Sequence, residues 1–149
     1  MKTLFEACKP RESVFDETKR DDTLDLSNLL DGSIDGKQFF EETFITEGME
    51  LLFDTAFKRF EGKASSGLVK LTQAMGGGKT NNMVALGVLA KNKEIRKSIL
   101  NGKYANVDSD IRVVAYTGRE SYLEFGIWGE IAEQLGKKEL FNTFYTPLM

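Results

Sequence analysis

The sequence predicts an α/β fold: part of a parallel sheet flanked by helices and preceded by a helical N-terminal segment. Three observations predict it. Residues 67–72 (Gly-Leu-Val-Lys-Leu-Thr) form a short apolar run that leads into a glycine turn, and an almost wholly apolar run, 83–90, follows the turn. Residues 111–117 (Ile-Arg-Val-Val-Ala-Tyr-Thr) are β-branched and mostly apolar, as a strand covered on both faces is. The other apolar residues recur at helical spacing, and strands separated by helices give a parallel sheet with right-handed crossovers. The expected division is a helical segment over 1–45 and an incomplete α/β portion over 46–149.

The elements follow in order. Residues 1–15 mix apolar and charged groups around Pro10, and Leu4, Phe5, Val14 and Phe15 are suited to docking on a body formed elsewhere. From 16 to 31 six acids stand against two bases, a solvated stretch. Asp22 or Thr23 is placed to cap a short helix carrying Leu26, Leu29 and Leu30, with Gly32 as its stop. Residues 33–36 read as a turn, and a further short helix holds Phe39, Phe40 and Phe44. Met49, Leu52, Phe53, Ala56, Phe57 and Phe60 then fall three and four apart, an apolar stripe that reads as core. Thr46 is its N-cap and Gly62 its stop.

A polar turn, 63–67, precedes the first strand, 68–72. The helix after the glycine turn is apolar nearly all round, so it needs cover on more than one face, which a sheet supplies. Ile95, Ile99 and Leu100 continue or follow it, and Asn101-Gly102 is a turn. The second strand, 111–117, ends at Gly118. A loop leads to a helix with Ile127, Trp128, Ile131, Ala132 and Leu135 on one side and Gly136 as its C-cap. No internal repeat or low-complexity tract is present.

Composition narrows the chemistry. The chain has 149 residues, a net charge of −3, one cysteine and no histidine. A histidine base and an internal disulfide are thereby excluded, a zinc site is disfavoured, and a reducing compartment is favoured. The acidic balance gives no global field that attracts nucleic acid, so direct nucleic-acid binding is not expected. No apolar run approaches the roughly 20 residues that span a bilayer. The expected location is cytoplasmic, without membrane contact.

The chemistry lies in Met75-Gly76-Gly77-Gly78-Lys79-Thr80-Asn81. Glycines let several backbone N–H groups approach a polyanion without side chains in the way, and the following helix adds the positive end of its dipole. Lys79 is placed for the β- and γ-phosphates of a nucleotide, the Thr80 hydroxyl for Mg²⁺, and the Asn81 N–H for the α-phosphate. The standard pattern begins with a glycine where this chain has Gln73. ATP and Mg²⁺ are the expected ligands of what reads as a partial P-loop NTPase. Hydrolysis also needs an acid at the tip of an adjacent strand, and 111–117 ends Tyr116-Thr117-Gly118. Glu120 is not read as that acid, and Arg119 reads as a surface or packing residue rather than an arginine finger.

With its triple glycine before Lys79-Thr80, the sequence resembles, through most of its length, the N-terminal part of the large P-loop ATPases classed as domain of unknown function 499. This is an AAA-like group often encoded in anti-phage defence clusters beside DNA methyltransferases. Residues 4–11 (Leu-Phe-Glu-Ala-Cys-Lys-Pro-Arg) look like the family's opening, and 44–49 (Phe-Ile-Thr-Glu-Gly-Met) like its segment before the helix that precedes the loop. Residues 128–136 (Trp-Gly-Glu-Ile-Ala-Glu-Gln-Leu-Gly) look like its W-G-E-[IL]-A-x-Q-L-G helix. The family's histidine after Lys-Thr is Asn81 here. The resemblance implies an ATPase in the intact protein, with the catalytic acid beyond this chain or on a neighbouring subunit of a homo-oligomer. It places candidate adenine contacts at Phe44, Ile45 and Thr46, and it suggests DNA methyltransferase or other defence proteins as partners. Family members are several times longer, so the expectation is a fragment or truncated product, poorly stable alone. A non-hydrolysing nucleotide-binding or assembly module is the alternative.

Overall fold

A computed structural model of the chain describes residues 3–4, 8–10, 15, 24–63, 66–72, 74–107, 111–118 and 126–145. Among them lie helices α1 (Asn28–Asp31), α2 (Gly36–Glu42), α3 (Glu47–Phe60), α4 (Lys79–Lys91), α5 (Lys93–Ile99), α6 (Gly126–Gln134) and α7 (Lys138–Phe144).

The parallel sheet flanked by helices is not there: among the described residues none is in a strand, and the fold is helical. Both expected strands, 68–72 and 111–117, lie outside any helix, yet among the described residues neither has a backbone–backbone hydrogen bond to another chain segment. Composition makes a run suited to a strand, but a ladder needs backbone–backbone hydrogen bonds to a second segment, and among the described residues neither run makes them. Leu68 and Val69 accordingly face solvent rather than a covering layer.

Helix ends follow local chemistry. Thr46 Oγ1 accepts from Met49 N at 3.3 Å and starts α3, and Asp35 Oδ1 accepts from Lys37 N at 2.9 Å and starts α2. The stops at Gly32 and Gly62 have φ of 76° and 73°, left-handed values that a glycine adopts without strain. The expected caps Asp22 and Thr23 lie outside the described residues, and Ser27 stands at that position instead, with no side-chain cap bond.

The core forms around α4. Val84, Ala85, Val88 and Leu89 are buried with Leu29, Phe40, Met49, Leu52, Phe53 and Phe57 in one cluster. The cover that an all-round apolar helix requires comes from helices: α4 packs against α1, α2, α3 and α5. Close approach is set by two glycines. A Cβ on Gly87 would lie 2.7 Å from Leu29 Cδ1, and one on Gly36 would lie 2.6 Å from Val88 Cγ1. The C-terminal end of α4 is pinned by Lys91 Nζ, which donates to Leu29 O at 2.6 Å. This packing holds the N-terminal end of α4, and the glycine loop before it, at the surface.

Candidate functional site

The glycine loop is built by backbone conformation. Gly76 and Gly78 have φ of 78° and 72°, so both sit in the left-handed region. A Cβ added at either would meet nothing within 4 Å. The glycines are therefore needed for the turn of the chain and not for internal space, and the loop's open side stays clear. Gly77 N donates to Ala74 O at 3.0 Å, closing the turn, and Asn82 N donates to Gly78 O at 2.9 Å, the first bond of α4. Gly78 caps the helix without a side chain. The N–H groups of Lys79, Thr80 and Asn81 thus precede the first intrahelical bond, where a helix carries its positive pole.

Lys79 folds back across this loop: its Nζ donates to Ala74 O at 2.9 Å. One carbonyl holds both the turn and the ammonium group. Met75, Gly76, Gly77, Gly78 and Thr80 are exposed, and Lys79 and Asn81 are half-buried. The loop residues singled out by sequence therefore lie together at one helix end. Gln73, Arg119 and Glu120 lie outside the described residues.

The expected adenine contacts are placed otherwise. Phe44 is 85% exposed, Ile45 packs against the core cluster, and Thr46 is engaged as the cap of α3. None of the three lines the groove into which Lys79 reaches.

That groove, of about 800 Å³, runs between α3, α4, residues 66–71 and residues 111–116. Its floor is apolar, and four cations, Arg59, Lys70, Lys79 and Arg112, stand along it with no carboxylate among the described lining residues. In a chain of net charge −3 this is a local reversal of sign. Such a groove concentrates anions. Sequence reasoning missed it because the four cations come from four separate segments, and only packing brings them together. No group of three or more His, Cys, Asp or Glu capable of holding a metal is present among the described residues. Thr80, the expected Mg²⁺ ligand, is exposed in the first turn of α4.

Sequence reasoning also passed over the role of Gln134. Its Oε1 accepts from Ala115 N at 3.0 Å and its Nε2 donates to Ala115 O at 2.8 Å, so α6 holds one side of the groove. A glutamine one helical turn after Glu130 was the available signal.

The family model described as DUF499 N-terminal domain matches residues 5–124. The match includes the glycine loop and residues 44–49, and it ends before the 128–136 stretch. Neither a curated protein nor a solved structure matches the chain.

Proposed function

This chain belongs to the DUF499 N-terminal domain family, and we propose that its glycine loop binds ATP·Mg²⁺. One observation carries the reading: Gly76 and Gly78, both left-handed, turn the chain onto the N-terminus of α4 and leave Lys79 in reach of whatever occupies the loop. The backbone N–H groups of residues 75–81, other than that of Gly77, which closes the turn, and the Lys79 ammonium would hold the phosphates, and Thr80 the Mg²⁺. ATP would supply the phosphoric anhydride to be hydrolysed to ADP and phosphate. On binding, Lys79 exchanges Ala74 O for phosphate oxygens, a stronger charge-assisted contact.

In this reading the chain is the N-terminal, nucleotide-binding part of an ATPase that works in the cytoplasm. Among the described residues no helix is long and apolar enough to cross a membrane. An anti-phage defence role, a DNA methyltransferase partner and a homo-oligomer complete the proposal on the strength of family resemblance. A second reading, nucleotide binding without hydrolysis, is favoured by one feature: no carboxylate lines the groove beside Lys79 among the described residues.

The test is calorimetric titration of the 149-residue chain with ATP in the presence and absence of Mg²⁺. Lys79→Ala should weaken binding about tenfold or more, equivalent to at least ~1.4 kcal/mol. Thr80→Ala should remove the difference between the Mg²⁺ and Mg²⁺-free titrations. Equal affinity of Lys79→Ala and the parent chain would overturn the assignment.

A further inference from the structure

Gln134 stands where a neighbouring strand would stand. The two bonds that its amide exchanges with Ala115, Oε1 from N at 3.0 Å and Nε2 to O at 2.8 Å, are those that a hydrogen-bonded residue pair exchanges in an antiparallel ladder. The remaining hydrogen on Nε2 goes to Glu130 Oε1 at 2.8 Å. Only one orientation of the amide satisfies all three contacts, so Glu130 fixes which end faces the Ala115 N–H.

The segment so held is the most strand-forming in the chain. Residues 111–117 are β-branched and apolar, with a single charge at Arg112 and no proline. Runs of this composition pair with copies of themselves when an edge is left open. Ala115 is the one residue of 111–118 with a backbone hydrogen bond among the described residues.

We infer that Glu130 and Gln134 form an edge clasp, which occupies the Ala115 edge of 111–117 and keeps a second copy of this chain from pairing there. In a strand successive residues direct their N–H and C=O groups to alternate edges, so in a paired 111–117 the residues Ile111, Val113, Ala115 and Thr117 would share one edge. A second copy is the fitting occupant because the run is complementary to itself in the antiparallel sense. Pairing centred on Val114 sets Ala115 opposite Val113 of the second copy, and Arg112 opposite Tyr116, which keeps the two arginines apart. The clasp is incompatible with that pairing, since one amide takes both Ala115 groups.

Sedimentation velocity over a concentration series, with infrared amide I spectra, tests the clasp on the 149-residue chain. Gln134→Leu keeps the side chain's bulk and deletes its amide. It should associate at concentrations about tenfold or more below those at which the parent chain does, with an intermolecular-strand band. Adding Val113→Pro removes the N–H that Ala115 would face in such a pairing. The double variant should return to the parent behaviour. Association of Gln134→Leu no stronger than the parent's, or association that Val113→Pro leaves intact, would overturn the inference. Should Gln134→Leu lose its helical circular dichroism, Glu130→Gln serves instead. It keeps the shape, weakens the acceptor that orients Gln134, and should speed exchange of the Ala115 amide while helicity is retained. An unchanged exchange rate in that variant would also sink the clasp.

Discussion

Arg96 is 2% exposed, donates from Nη2 to Val107 O at 2.9 Å and from Nη1 to Leu89 O at 3.1 Å, and lies 5.2 Å over the ring of Phe57. Its Nε has no hydrogen-bond partner, and no carboxylate pairs with it among the described residues. The planar fork satisfies two buried carbonyls on separate segments, one at the end of α4 and one beyond α5, which a point charge cannot do. Arg96→Met leaves both carbonyls without that donor and should lower the unfolding free energy by about 2–4 kcal/mol, read by urea denaturation. Arg96→Lys should recover only part of the loss. Beneath the same ring system, Tyr104 stacks on Phe57 and donates to Asp54, which also pairs with Lys58. Burial, then the bond to Asp54, pushes the Tyr104 hydroxyl from 10.0 up to about 12. Lys58, then Tyr104, holds the Asp54 carboxyl below its ordinary value. For the phenol, the folded state favours the protonated form. Its contribution is therefore full below pH 10 and lost as pH rises toward about 12. The Asp54 contribution has the opposite sign and is lost as pH falls through its depressed value. Tyr104→Phe should flatten the stability–pH profile between pH 10 and 12 relative to the parent chain.

Element ends and element pairing differ in how much of them a sequence can carry. Thr46, Gly32, Gly62 and Gly136 were legible as caps and stops because each acts on its own backbone within one turn. Most of the apolar stripe of α3 was legible for the same reason: Met49, Leu52, Phe53 and Phe57 are buried at the spacing that the pattern implies, whereas Phe60, read as part of the same core stripe, is 47% exposed at the helix end. The strands were not, because a strand is a property of two segments, and among the described residues neither 68–72 nor 111–117 has a backbone–backbone hydrogen-bond partner. Likewise the all-apolar α4 announced that it would be covered, but not by what, and helices rather than a sheet cover it. Thr46 belongs to two competing roles at this scale, a cap for α3 or an adenine contact. With its Oγ1 accepting from Met49 N, Thr46→Ala should cost about 1 kcal/mol of stability, and Thr46→Asn, which restores a cap, should regain most of it. Chemical denaturation of the two variants decides whether the residue serves chiefly as a cap.

At the scale of the whole molecule, the glycine loop and the cationic groove were legible to different degrees for the same reason. The loop is seven consecutive residues, whereas Arg59, Lys70, Lys79 and Arg112 become neighbours only when α3, α4 and residues 66–71 and 111–116 pack around one floor. Stability is distributed just as unevenly. The helices around α4 share one buried cluster, which contains no residue of α6 or α7. α6 and α7 pack chiefly on each other, α7 has no buried residue, and Trp128 of α6 is 69% exposed. Among the described residues, the hydrogen-bonded tie between this hairpin and the groove is the contact of the Gln134 amide with Ala115. Opening the hairpin breaks little buried apolar contact, whereas opening α4 dismantles the core. Native-state hydrogen exchange should therefore rank the two: α4 amides from Val84 to Leu89 exchanging only by global unfolding, and α7 amides exchanging at least ~100-fold faster by local opening. Equal protection of α4 and α7 would mean that the hairpin unfolds with the core. In that case the Gln134 clasp and the packing around it would couple the groove's outer wall to α4 far more tightly than the buried contacts alone account for.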